Sequence, residues 1–168
     1  LIPSVLALLS PERMASIESI IVGGALMALG QFFMFASGSF YQDISVAKPL
    51  MFAGLAFLIF GNGFFKPNIS TMVGDLYRQG DARRDGAFTI FYMGINVGAF
   101  LSTMVCGYFA QTKDWTTGFG IAGVGMLLGL VTFGLGKHRL DGHGEPPNPA
   151  KFSGNLTKVL IGAFACVP

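Results

Sequence analysis

The run Gly61-Asn62-Gly63-Phe64-Phe65-Lys66-Pro67-Asn68 places one lysine inside a long apolar stretch. The surrounding segment, 50–76, is long enough to cross a bilayer, which takes about 20 mostly apolar residues. A lysine near the middle of such a helix costs about 2.5–3.5 kcal/mol on insertion scales. Because nothing in packing alone calls for it, Lys66 is a candidate functional residue that should face a cavity or a partner instead of lipid.

Composition also places the chain among membrane proteins. Of the 168 residues, 52% are hydrophobic and 12% charged, and the mean hydropathy is +0.59. Average soluble domains carry about 25% charged residues. The net charge of +2 and the absence of a long Lys/Arg block in the sequence argue against nucleic acid as a partner.

Apolar spans without strand-like alternation predict an all-α, polytopic transmembrane bundle. Helices also satisfy every backbone polar group inside the bilayer. Residues 1–9 are interpreted as the tail of a preceding helix, 137–155 as a cytoplasmic hydrophilic linker, and 156–168 as the start of a further helix. Residues 10–136 then hold four predicted membrane helices, at about 17–35, 50–76, 87–110 and 119–135.

Basic residues in alternate connectors predict the orientation in the cytoplasmic membrane. By the positive-inside rule, connectors rich in lysine and arginine are cytoplasmic, whereas 38–48 and 111–116, with one lysine each, face outward. This alternation agrees with four crossings. The basic residues that carry the signal are Arg13, Arg78, Arg83, Arg84, Lys137, Arg139, Lys151 and Lys158.

Two further polar residues lie in the third span. Tyr92 and Asn96 are four apart and therefore share one helix face. From the residues alone, two readings stay open: hydrogen bonds to neighbouring helices, or the lining of an aqueous cavity that binds polar substrate groups.

Charged residues flank the cytoplasmic connector between spans two and three. Asp75 and Asp85 could form a gate with Arg83 or Arg84, but exposed charges of this kind are usually solvated and contribute little.

Other chemistry has little support in the sequence. Cys106 and Cys166 lie in apolar runs without CxxC spacing, so we expect no metal site. No HExxH, GxSxG or intramembrane carboxylate pair points to an enzyme. The pairs Gly94/Gly98 and Gly125/Gly129 have the small-xxx-small spacing that favours helix contacts, and we interpret them as packing ridges.

The run 61–68, followed by Phe91-Tyr92-Met93-Gly94-Ile95-Asn96-Val97-Gly98-Ala99, resembles the two signature regions of the proton-dependent oligopeptide transporters. The similarity is to bacterial members and covers about residues 20–135. It implies the third to sixth helices of a longer transporter of the major facilitator superfamily, hence a partial N-terminal bundle of a carrier that works by alternating access.

By this resemblance, Lys66 matches the lysine implicated in proton coupling and carboxylate interaction, and Tyr92 and Asn96 match residues of the peptide pocket. The resemblance implies a proton-coupled symporter that imports di- and tripeptides. Its partners would be peptides, protons, the lipid bilayer and the remaining helices of the transporter, with no cofactor. The family's first-helix Glu-x-x-Glu-Arg motif does not occur in these residues.

Two alternatives to a peptide symporter stay open. One is a related carrier for another small anionic solute, such as nitrate or an amino-acid conjugate. The other is a membrane-embedded helical protein without transport activity.

Overall fold

Four long helices make up nearly all of the described chain. The computed structural model describes residues 17–78 and 80–140. A short 3₁₀ helix, Lys137–Leu140, follows the last long helix. Each long helix is long and apolar enough to cross a membrane. The helices are α1 (Ile17–Ser39), α2 (Ile44–Asp75), α3 (Arg83–Thr112) and α4 (Trp115–Gly136).

The helices extend beyond the spans that hydropathy predicted, so the connectors are shorter than expected. The predicted loop 38–48 is reduced to residues 40–43, because Asp43 caps α2 by accepting a hydrogen bond from the Ser45 N–H at 3.1 Å. Asp114 caps α4 in the same way through the Thr117 N–H at 2.6 Å. The proposed tail 1–9, the linker beyond residue 140 and the helix from 156 lie outside the described residues.

α2 continues without interruption through both of its prolines, Pro49 and Pro67. Proline has no N–H and so removes one helical hydrogen bond at each position. The bond missing at Pro67 lies next to Lys66, and the helix is unbroken there.

α1 and α2 form the main contact of the bundle, and two glycine pairs set how closely they approach. A Cβ at Gly23 would lie 2.8 Å from the carbonyl oxygen of Gly61, and one at Gly30 would lie 2.8 Å from that of Gly54. Both pairs are reciprocal, and the two glycines on each helix are seven residues apart. The helices therefore meet backbone to backbone over two turns, which only glycine permits.

The four glycines predicted to form packing ridges behave differently. Within the described residues, a Cβ at Gly94, Gly98, Gly125 or Gly129 would have nothing within 4 Å. The small-xxx-small spacing shows that another helix could approach these faces closely. It does not show whether another described helix packs there. For these four positions the expected helix contacts are absent from the part of the chain described.

α4 packs against α1, and α3 contacts the first half of α4. Gly118 of α4 lies against the Cα and Cβ of Ala110, the one α3 residue that is buried in the described chain. Gly123 lies against Phe32 of α1. Because the first half of α3 has so few neighbours, most of its residues are exposed.

Candidate functional site

Lys66 lies on the side of α2 that points away from α1. The residues of α2 buried by the bundle are Gly54, Gly61, Phe64, Asn68, Met72 and Gly74. At 3.6 residues per turn most of these fall on one face, and Lys66 lies roughly opposite. The lysine is exposed and makes no hydrogen bond or ion pair through its side chain to any described residue. The bundle thus leaves the ammonium group on an uncovered surface.

Tyr92 and Asn96 lie on the sparsely packed half of α3. Tyr92 is 56% exposed, and its ring packs between those of Phe88 and Phe91, with centroids 6.5 and 5.7 Å away. Asn96 is exposed and donates its Nδ2–H to the carbonyl oxygen of Tyr92 at 2.9 Å. This bond uses one donor of the amide, so the second donor and the Oδ1 acceptor can meet another group.

The structure does not join the three predicted site residues directly. Among residues 17–78 and 80–140, no hydrogen bond or ion pair links Lys66 with Tyr92 or Asn96. α2 and α3 instead meet near the C-terminal end of α2, where Phe88 and Arg84 lie against Gly74. All three residues are exposed in the described bundle. Side chains that line a cavity closed by further helices would be exposed in the same way.

Arg83 pairs with Asp81, which was not among the predicted site residues. Its Nη2 lies 2.9 Å from Oδ2 of Asp81, and its backbone N–H donates to Oδ1 at 2.9 Å. These bonds from Arg83, the side-chain one first, hold the pKa of the Asp81 carboxyl below its ordinary value. The signal was available in the sequence, since an aspartate just before a helix commonly bonds the first free backbone N–H groups.

Arg84 lies inward at the same connector. Its guanidinium carbon is 5.9 Å from the centroid of the Phe88 ring, and its Nε is buried without a hydrogen-bond partner in the described chain. Asp75 is exposed and forms no ion pair with either arginine here. The gate that links Asp75 to Arg83 or Arg84 therefore stays a prediction.

A cleft of about 310 Å³ lies away from these residues, between α1, α3 and α4. Gln31 of α1 lines it, and its Oε1 is buried without a partner in the part of the chain described. Ser102 and Cys106 of α3 and Trp115 and Phe119 of α4 form other parts of the lining. Lys66, Tyr92 and Asn96 are not part of this cleft.

Known proteins resemble this chain over most of its length. The family model described as the POT family matches residues 17–164. The peptide transporter YePEPT of Yersinia enterocolitica subsp. palearctica is 44% identical over 126 residues, which are 75% of this chain and 24% of the relative. A dipeptide and tripeptide permease A of Erwinia pyrifoliae is 37% identical over 144 residues, covering 85% of this chain and 28% of the relative.

A solved structure agrees with the fold. A POT family transporter in complex with a thioalcohol-conjugated peptide is 28% identical and superposes with a TM-score of 0.73, covering 98% of this chain and 34% of that protein. The chain thus spans about a quarter to a third of the length of these relatives.

These similarities confirm the all-α, major-facilitator-type fold and the family resemblance expected from the two signature regions. With four helices able to cross a membrane, the chain belongs to a multi-pass membrane protein. Because a family model matches far more than half of its residues, the chain is a member of the POT family of transporters.

Proposed function

We propose that this chain is part of the N-terminal bundle of a proton-coupled symporter that imports di- and tripeptides across the cytoplasmic membrane by alternating access. The observation that carries the proposal is the exposed ammonium group of Lys66 on a membrane helix, on a face that no described helix covers. The relatives named as peptide transporters and as di- and tripeptide permeases support the choice of substrate.

Lys66 would bind the carboxylate of a peptide and couple that binding to proton movement. In a cavity of low dielectric constant, a fixed cation attracts a carboxylate far more strongly than it does in water. A cation on this face would hold the substrate carboxylate, and its part in proton coupling is what membership of the POT family implies.

Tyr92 and Asn96 would contact the uncharged polar groups of the same substrate. A phenol and an amide supply both donors and acceptors, which is what peptide N–H and C=O groups require. Asp75 would act with Arg83 or Arg84 as a cytoplasmic gate. No cofactor is part of this proposal, because the proton gradient would supply the energy.

The test uses the complete transporter, purified and reconstituted into liposomes with an imposed pH gradient. Lys66→Ala is expected to abolish accumulation of a labelled dipeptide. Lys48→Ala is the matched control, because Lys48 is an exposed lysine in the first turns of the same helix. It should leave uptake within about twofold of the unsubstituted protein.

Two results would overturn the proposal. One is normal gradient-driven accumulation by Lys66→Ala in protein that is correctly inserted. The other is uptake of a labelled small anion by the unsubstituted protein that an excess of unlabelled dipeptide does not reduce, whereas an excess of the unlabelled anion does. The second result would favour the related carrier for an anionic solute.

A further inference from the structure

Gln31 places a buried polar atom inside the membrane-spanning part of α1. Its Oε1 has no hydrogen-bond partner among residues 17–78 and 80–140. The residue lies more than two turns before Ser39, the last residue of α1, and therefore about 12 Å from that end of the helix. No bulk water reaches a carbonyl oxygen buried at that depth in a bilayer, so this oxygen needs a donor held by protein.

The polar side chains that line the cleft beside Gln31 do not supply this donor. Ser102 and Thr103 direct their hydroxyl hydrogens to the carbonyl oxygen of Ala99, at 3.1 and 2.8 Å. A hydroxyl group has one hydrogen, so neither side chain can also donate to Gln31. The indole of Trp115 lines the same cleft but does not bond this oxygen either. The missing donor therefore comes from outside the described chain.

The cleft is uncovered in the described bundle, and its walls carry small residues. Its lining residues Ser102 and Trp115 are exposed. A Cβ at Gly107 on the α3 wall would have nothing within 4 Å there, and Ala122 forms part of the α4 wall. Small residues let a neighbouring helix approach closely. A lipid acyl chain could fill the same space, but it has no hydrogen-bond donor for Gln31.

We propose that a further membrane helix of the same transporter packs on this cleft and donates a hydrogen bond from a polar side chain to Oε1 of Gln31, an inference that rests on the proposed function. The cleft, of about 310 Å³, admits side chains of such a helix. The relatives are three to four times longer than the matched part of this chain, which leaves room for further helices. Since Lys66 is not part of the cleft, the contact assembles the bundle and does not bind the substrate.

The first test is the direction in which the thermal midpoint moves when Gln31 loses its amide. It uses the complete transporter, purified in detergent. Gln31→Met keeps a side chain of similar length without strong hydrogen-bonding groups. A donor on the covering helix would be left unpaired, so the midpoint is expected to fall by a few degrees.

Gln111→Met is the matched control for this change. Gln111 is exposed in the last turn of α3, and its midpoint should equal that of the unsubstituted protein. A cleft that is empty or filled by an acyl chain predicts the opposite result for Gln31→Met. Removal of an unsatisfied carbonyl group from apolar surroundings is favourable and would raise the midpoint. A raised or unchanged midpoint would therefore overturn the proposal.

Substitutions at Gly107 test the covering helix independently of Gln31. A side chain at this position begins in open space within the described bundle. A helix packed on the cleft would be displaced more by leucine than by alanine, so Gly107→Leu is expected to have a clearly lower midpoint than Gly107→Ala. Equal midpoints, or a higher one for leucine, would show that no helix covers the cleft.

Neither measurement uses a substrate, so this inference and the proposed function can fail separately. If the midpoints change as expected but Lys66→Ala still accumulates dipeptide normally, the helix contact stands and the proposed function falls. If dipeptide uptake behaves as proposed but Gln31→Met does not lower the midpoint, the contact is refuted and the transport assignment stands.

Discussion

Gly23 and Gly61 each place a backbone carbonyl oxygen where the other residue has no room for a side chain. A Cβ on Gly61 would lie 2.6 Å from the carbonyl oxygen of Gly23, and a Cβ on Gly23 would lie 2.8 Å from that of Gly61. Neither backbone can yield without separating α1 from α2. This reciprocal contact fixes which face of α2 is turned toward α1. It therefore also fixes the direction in which Lys66 projects from the bundle.

Gly61→Ala should therefore destabilise the bundle, because the added methyl group overlaps backbone atoms instead of a mobile side chain. Overpacking of this kind costs about 1–3 kcal/mol, and we expect a lower thermal midpoint of the detergent-solubilised transporter. The control is Gly125→Ala, where a Cβ has nothing within 4 Å in the described chain. An unchanged midpoint for Gly61→Ala would mean that the helices are farther apart than described.

Asn96→Leu should weaken dipeptide binding more than it affects insertion or folding. The amide keeps one donor and its acceptor free after its bond to the Tyr92 carbonyl, and leucine of similar size removes both. Losing a hydrogen bond to a ligand costs about 0.5–1.5 kcal/mol, or a few-fold to about tenfold in affinity. Equal affinity in a binding assay would assign Asn96 to helix packing.

Asp114 should make the stability of the start of α4 depend on pH. The Thr117 backbone N–H, and then its hydroxyl group, hold the pKa of Asp114 below the ordinary value. The cap is therefore fully present above the ordinary aspartate pKa of about 3.9. Its contribution is lost as the pH falls through the lower native pKa.

Asp114→Asn provides the comparison, because asparagine caps a helix without titrating. The difference in thermal midpoint between Asp114 and Asp114→Asn protein should be constant from pH 7 to about 5 and change only at lower pH. A difference that is the same at pH 7 and pH 3 would contradict the role given to the carboxylate.

Asp75 and Asp81 should respond differently to neutralisation. Asp81→Asn removes the local pair with Arg83, whose side chain is 81% exposed, so uptake should change little. If Asp75 belongs to a gate, Asp75→Asn should change the rate of dipeptide uptake without changing equilibrium affinity. Equal uptake rates for both variants would remove Asp75 from the gate.

The sequence by itself determined the membrane character, the number of helices in the described chain and the family. An apolar stretch of sufficient length must form a helix in lipid, since no water can satisfy its backbone, so hydropathy alone located four helices. It also singled out Lys66, because a charge in such a stretch is costly and therefore informative.

Only the tertiary structure decided which glycines carry contacts and which polar groups are free. Gly23 and Gly61 meet, although Gly94 and Gly98 have the more familiar spacing. The spacing shows that a helix face carries small residues. Whether another helix packs on that face depends on how distant segments of the chain fold together. For the same reason Asn68 is buried at 4% exposure while Asn62 is left open, although both are asparagines within two turns of Lys66.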